Sequence, residues 1–279
     1  MRMTAVARFF DREQAYDGYT DAALFFCQFS SFDDSASDGS TNRRRGMSVA
    51  PAVTIPTRRV LRLQNQRWLV SAPTDDSFLN RAMRTNYNLK RITHSLASLT
   101  AGEACTGAAG TAVYAHLHYY RDTSNTRTDS DLDVFWNIFL SPTEVSTPGR
   151  FFRDADLNFY RVRQSYVTPE GSVVAQADQM ETGTRVAAVF GTGTYDPVAD
   201  TVSAGTVTAQ VLQFDVSQFY RYRQQAEASD VKAGDRAVFV AASALTPVVG
   251  MEFAMLGRDW RAMIVQAEGD AWAIHARLK

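Results

Sequence analysis

The sequence predicts a mainly β fold, arranged as two small antiparallel β-barrel or sandwich modules with long loops and one short amphipathic helix. Short segments of alternating apolar and polar residues recur along the chain, as at residues 60–63, where two leucines share one face and an arginine takes the other. Clusters of turn residues separate these segments. A third observation is a repeated pattern, in which a proline is followed 12 or 13 residues later by an aromatic residue that opens an apolar strand: Pro56 to Trp68, Pro148 to Tyr160 and Pro247 to Trp260.

Each copy of this pattern predicts a β-hairpin, because a polar turn precedes the aromatic residue. The aromatic side chain is then expected to plug a small barrel. Trp68, Tyr160 and Trp260 are therefore predicted to be structural.

The first module is predicted over residues 1–110. Residues 22–29 form an apolar strand pattern, and strand signals are dense between residues 47 and 90. Residues 93–110 are rich in alanine, serine and threonine with three glycines, which predicts a linker containing at most a frayed helix.

An exposed loop or arm is predicted over residues 30–46, because its small polar residues cannot bury themselves. Two interpretations are open for this arm. It docks on an acidic neighbouring subunit or on packaged nucleic acid, or it is a solvated loop whose own aspartates neutralise its arginines. Its charged residues are Asp33, Asp34, Asp38, Arg43, Arg44 and Arg45.

The second module is predicted over residues 111–279, with the helix near residues 129–140. Thr128 is placed to cap that helix, and an apolar stripe follows at helical spacing. The rest of the module predicts hairpins that end in a four-strand meander or barrel. The stripe consists of Leu132, Phe135, Trp136 and Phe139.

Composition limits the function classes. The 279 residues carry a formal net charge of -1, so the charge does not require a nucleic-acid partner. Arginine far outnumbers lysine, which suits ordered contacts between protein surfaces or reflects a GC-rich genome. Two distant cysteines predict neither a disulfide framework nor a metal site. Without a secretory signal or a long apolar stretch, the chain is expected in a cytoplasm-like compartment, with no membrane partner.

The catalytic templates are empty or weak, so no catalytic residue, metal or cofactor is predicted. The chain has no Gly-x-Ser-x-Gly elbow, Walker loop or His-Glu-x-x-His motif. His116 and His118 share one face of a predicted strand, but a metal site would need a third ligand. Residues 34–39 begin like a calcium loop, yet Ala36 and Arg45 replace required ligands. Arginines beside aromatic residues instead favour subunit contacts, which adds Arg221 and Arg223 to the candidate assembly-interface residues, and Arg58 is a further candidate.

The C-terminal segment carries a family resemblance. The residues that carry it stand before a closing pair of predicted strands: 230–239, Gly250 and 257–261. This arrangement resembles the small β-barrel of head-completion or stopper proteins in the neck of tailed bacteriophages, where a short hairpin with a glycine and an aromatic residue closes the barrel. Residues 58–90 resemble it more loosely. This chain is much longer than the small stoppers, so a larger neck or tail-adaptor role also fits.

The resemblance implies a non-enzymatic subunit of a homo-oligomeric ring between portal and tail. Its expected partners are further copies of itself, portal or adaptor proteins and tail proteins, with packaged DNA as a further contact. Its expected location is the virion, after assembly in the host cytoplasm. The alternatives are another minor virion protein, such as a capsid decoration or tail-tube protein, and a bacterial β-rich binding domain or small enzyme.

Overall fold

A computed structural model describes residues 12–31, 44–50, 52–53, 55, 59–78, 81–121, 134–140, 146–168, 173–180, 183–193, 195–196, 201–202, 205–215, 232 and 234–279. Over these ranges the chain folds into three closed, six-stranded antiparallel barrels that follow one another in sequence. The predicted mainly β class, built from small antiparallel barrel modules, is confirmed.

The strands of each barrel are contiguous in the chain. Barrel 1 contains β1 (Arg12–Asp17), β2 (Ala23–Ser31), β3 (Arg44–Val49), β4 (Val60–Leu63), β5 (Gln66–Phe78) and β6 (Arg81–Arg91). Barrel 2 contains β7 (His94–Leu99), helix α1 (Ala101–Thr106), β8 (Thr111–Arg121), β9 (Val134–Leu140), β10 (Phe151–Arg153), β11 (Phe159–Val167) and β12 (Val173–Met180). Barrel 3 contains β13 (Thr184–Gly191), β16 (Thr206–Asp215), β17 (Arg236–Ala241), β18 (Glu252–Met255), β19 (Arg258–Glu268) and β20 (Ala271–Leu278), with the small hairpin β14 (Tyr195–Asp196) and β15 (Thr201–Val202) between its first two strands.

All three barrels have the same topology. The first three strands of a barrel form one antiparallel meander and the last three form another. The third strand pairs with the sixth and the first pairs with the fourth, which closes the sheet and leaves no free edge.

The proline-to-aromatic pattern marks the same place in each barrel. It covers the connection from the third to the fourth strand and the hairpin that follows. In barrels 2 and 3 this connection contains a glycine with positive φ, Gly149 (85°) and Gly250 (86°), whose N–H donates to the carbonyl of Val162 or Ala262. A β-bulge in the fifth-to-sixth strand pairing begins right after Val70, Val162 or Ala262 in the three barrels.

The three hairpin aromatics lie inside their barrels. Trp68 is 3% exposed, Tyr160 3% and Trp260 4%, each within the core of its own barrel. Strand alternation explains this position, because every second residue of a closed sheet points inward.

Two expectations from the sequence need correction. Residues 134–140 of the predicted helix form strand β9, which pairs with β8 and β12. Both faces of β9 are covered, so its apolar residues do not alternate with polar ones as they do in a half-exposed strand. The same residues also fit the spacing of an apolar stripe on a helix. The described helix is α1, inside the predicted linker, where Thr100 and Glu103 form a capping box and Gly107 (φ 87°) ends the helix.

The modules also differ from the expectation in number. The described residues form three barrels where two modules were predicted. The expected boundary between residues 110 and 111 lies between α1 and β8, within barrel 2. The observed boundaries are the short connections between β6 and β7 and between β12 and β13.

Candidate functional site

Most of the predicted assembly-interface residues lie outside the described ranges. This holds for Asp33, Asp34, Asp38, Arg43, Arg58, Arg221 and Arg223. Arg44 and Arg45 belong to β3, which pairs with β2 and β6, so the end of the predicted arm is a barrel strand. The reason is that Met47 and Val49, buried in the barrel 1 core, hold this strand in register.

The junction between barrels 2 and 3 is apolar and buried. Helix α1 lies between the barrels, with Ala104 and Cys105 fully buried. Phe151 and Phe159 of barrel 2 belong to the same cluster and stack edge-on against phenylalanines of barrel 3. The barrel 3 members of this cluster are Leu212, Phe214, Ala237, Phe239, Ala271 and Ala273.

A buried ion pair crosses this junction. Nη2 of Arg161, in barrel 2, donates to Oε2 of Glu268, in barrel 3, at 2.6 Å. Their side chains are 2% and 4% exposed. A Cβ at Gly149 would lie 2.4 Å from Oε1 of Glu268, so the glycine makes room for the carboxylate. A buried pair of this kind fixes the relative position of the two barrels, because displacing either partner leaves a charge unpaired.

Barrel 3 also binds both ends of α1. The Asp270 carboxylate accepts the Thr100 hydroxyl at 2.7 Å and the Gly102 N–H at 2.8 Å. At the other end of the helix, Nε of Arg185 donates to the Ala104 carbonyl at 2.8 Å. Both contacts complement the helix dipole, an anion at the N-terminus and a cation at the C-terminus.

The junction between barrels 1 and 2 is made by cations on aromatic rings. Arg67 lies 4.6 Å from the ring centre of Tyr114, and Lys90 lies 3.1 Å from that of Phe139. Tyr19 packs on Tyr114 at 5.0 Å between ring centres. Nδ1 of the buried His116 lies 2.7 Å from the carbonyl oxygen of Arg91, the last residue of barrel 1. His116 is therefore a junction residue.

The two junctions use corresponding surfaces. In both, the fifth strand and the first connection of one barrel contact the outer face of the second strand of the next barrel. The register shows the correspondence: His116 pairs with Phe139 in barrel 2, and Leu212 pairs with Phe239 at the same place in barrel 3. The chain is therefore a head-to-tail array of barrels.

The end of barrel 3 at the β18–β19 turn is a polar mouth. Its cavity of about 620 Å³ is bounded by inward-facing Arg236, Arg258 and Trp260 and by Lys232 and Arg277 at the rim. The mouth is rich in cations, which suits contact with anionic or aromatic groups.

One carboxylate at this end is fully engaged. Asp235 accepts His275 Nε2 at 2.8 Å, Arg277 Nη2 at 3.0 Å and the Lys232 N–H at 2.9 Å. Burial by itself would raise the pKa of Asp235, but the bonds from Arg277, the Lys232 amide and His275 outweigh it and lower that pKa. The cluster therefore organises the rim of barrel 3.

The described residues include two free cysteines, both buried. Within them, no group of three or more His, Cys, Asp or Glu is arranged to hold a metal ion. Burial raises the pKa of the Cys27 and Cys105 thiols to about 12, so neither forms a thiolate at neutral pH. No helix in the described ranges is long and apolar enough to cross a membrane.

No family model, curated protein or solved structure matches this chain.

Proposed function

We propose that this chain is a non-enzymatic structural subunit of a tailed-bacteriophage virion, forming a ring that joins head to tail as a stopper or tail adaptor. The observation that carries the proposal is the head-to-tail array of three barrels in the described residues. A short connection, a buried ion pair and a shared apolar cluster restrict motion at the junction of barrels 2 and 3. Closed barrels without free edges suit a part that must hold its shape under load.

The contacts between barrels add support. They are heterologous, meaning that two different surfaces meet, and contacts of this type build rings when the rotation between units closes. The rim cations of barrel 3 suit contact with a neighbouring virion protein or with packaged DNA.

The proposal is tested in the phage whose genome encodes the chain. A stop codon early in the reading frame should give lysates with separate heads and tails, and supplying the intact chain from a plasmid should restore joined particles. Antibody labelling of purified particles should mark the neck in electron micrographs. Labelling on the capsid surface or along the tail shaft would identify a decoration or tail-tube protein instead. A chain absent from the particles would refute a virion role and favour a bacterial binding domain.

A further inference from the structure

We propose that the mouth of barrel 3 binds linked phosphate groups, as carried by a polyphosphate, a nucleotide or a nucleic-acid strand. The inference goes beyond the proposed ring, because it concerns a site within one barrel and requires no neighbouring subunit. Its basis is the cavity of about 620 Å³ that is surrounded by the β18–β19 turn, the start of β17 and the end of β20. Cavities of this size in the mouths of β-barrels are common ligand sites.

The matching position in barrel 2 is filled by an aromatic side chain. Trp136 pairs with Ala177, and Arg236 pairs with Ala276 in barrel 3. The two alanines correspond, because each also pairs with the residue that precedes the β-bulge of its barrel. In barrel 2, Trp136 packs on the ring of Tyr160 at 5.8 Å between ring centres. Barrel 3 therefore carries a cation where barrel 2 carries an indole ring.

Arg236 points into the barrel and has donors to spare. Strand alternation puts it on the same side of β17 as Val238 and Val240, which belong to the barrel 3 core. Its Nη1 lies 3.8 Å from Oδ2 of Asp215, which is a loose ion pair. Its Nε is buried and has no hydrogen-bond partner in the described part of the chain. Because a guanidinium group carries five N–H donors, Arg236 keeps several for an anion that enters the mouth.

Two further cations of the mouth are uncommitted. The side chains of Lys232 and Arg258 make no hydrogen bond or ion pair with any residue that the structure describes. A fourth cation, Arg277, is held at the rim by Asp235, which accepts its Nε and Nη2. Among the described residues, four cations and one carboxylate line the cavity, so positive charge is in excess even with Asp215 included. An anion with several charges balances this set better than a single carboxylate does.

The chemistry and size of the mouth favour linked phosphates. Arginine binds phosphate oxygens in pairs through its planar fork, and lysine adds a point charge. The cavity has room for more than one phosphate group. Leu256 and Leu278 lie at its edge, 53% and 45% exposed, and offer apolar contact to a sugar or base attached to the phosphates. A chain of phosphates, with or without nucleosides, therefore fits this site.

The test is calorimetric titration of the full chain at low salt with three probes: inorganic tripolyphosphate, adenosine triphosphate and a short single-stranded oligothymidine. Arg236→Gln and Arg258→Gln each remove one cation from the mouth and keep a polar side chain. Arg261→Gln is the matched control, because Arg261 lies on the same strand as Arg258 but pairs with Glu252 and is 51% exposed. Circular dichroism should show that all three variants are folded.

We expect the wild type to bind at least one probe, with an affinity that falls as salt is added. Each mouth variant should bind that probe at least roughly tenfold more weakly, because a charge-assisted hydrogen bond is lost. Arg261→Gln should bind nearly like the wild type. No binding of any probe, or equal weakening in Arg261→Gln and Arg258→Gln, would overturn the inference.

The probes also identify the source of the phosphate. Tighter binding of the oligonucleotide than of the two small probes would point to a nucleic-acid strand, and the reverse order to a free phosphate compound. Failure of phosphate binding would leave neck labelling of particles, and with it the proposed function, unaffected. A chain that binds phosphate but is absent from particles would refute the function alone.

Discussion

The ion pair between Arg161 and Glu268 gives the sharpest test of how barrels 2 and 3 are joined. Both side chains are nearly inaccessible, at 2% and 4% exposure, and their nitrogen and oxygen atoms are 2.6 Å apart. Glu268→Gln leaves the guanidinium buried beside a neutral amide, and Arg161→Met leaves the carboxylate without its cation. Removing one partner of a buried pair costs about 3–5 kcal/mol of unfolding free energy, mainly because the other charge stays unpaired.

The double variant should cost much less than the sum of the two. Arg161→Met with Glu268→Gln removes both charges, so neither is left unpaired, and only the buried Gln amide lacks its former partner. The double variant should therefore cost less than either single variant, which is strong non-additivity for two residues in direct contact. Arg261→Met with Glu252→Gln provides the matched control, since Arg261 is the barrel 3 counterpart of Arg161 and its pair is exposed. The control changes should leave the unfolding free energy nearly unchanged.

The assay must resolve the barrels, because a chain of three barrels need not unfold in one step. Hydrogen exchange followed by mass spectrometry, with increasing urea, reports the opening free energy of peptides from β11 and β19 separately. Faster exchange in both peptides for each single variant, with recovery in the double variant, is the expected pattern. Single variants that exchange like the exposed control pair, or strictly additive effects, would refute the idea that this pair couples the barrels.

Three further predictions concern single positions. Leu256→Asn should raise the unfolding free energy by about 0.5–1 kcal/mol in urea titrations. The reason is that Leu256 (φ 55°) and Gly257 (φ 70°) form a two-residue hairpin turn, which favours Asn-Gly. A destabilised variant would contradict this. Asp270→Ala should lower the unfolding free energy of the second junction by about 1–2 kcal/mol, since two hydrogen bonds to α1 are lost, and unchanged exchange of α1 amides would count against it. Asp17→Asn should remove an acid-dependent part of the stability. Burial would raise the Asp17 pKa, but the hydrogen bonds from Arg59 and from the Thr20 and Tyr19 amides outweigh it and lower that pKa to about 2. The stability advantage of the wild type should therefore be full above about pH 4 and fade as the pH falls towards 2. A stability difference that does not depend on pH would exclude this explanation.

Some parts of the fold follow from short stretches of sequence. The hairpin unit was predictable, because a turn and strand alternation are encoded within a few residues, and Trp68, Tyr160 and Trp260 indeed occupy corresponding buried positions. The β9 segment was assigned wrongly as a helix, because a strand that is covered on both faces has no period of two. The helix α1 was predicted only as a frayed helix within a linker, because its own sequence does not supply most of its stability. It is short, and its stability comes from packing between two barrels and from Asp270, far away in the sequence.

The candidate surfaces depended almost wholly on the tertiary structure. Arg161 and Glu268 are 107 positions apart, and a pair of opposite charges at such a distance has no local signal. His116 was considered as a metal ligand from its spacing to His118, whereas the structure places it at a barrel junction. Phe26 lies in a segment that the sequence predicts only as an apolar strand, and the strand register shows that it corresponds to Tyr114.

The sequence by itself therefore determined the β class, the repeated hairpin and the aromatic residue at its centre, because turn chemistry and the alternation of side chains act between near neighbours. Only the tertiary structure decided that the described residues form three barrels, how each one closes and which surfaces join them. Closure pairs the first strand with the fourth and the third with the sixth, and the junctions pair one barrel with the next. Such contacts depend on where distant segments meet in space, which the order of residues in any one segment does not specify.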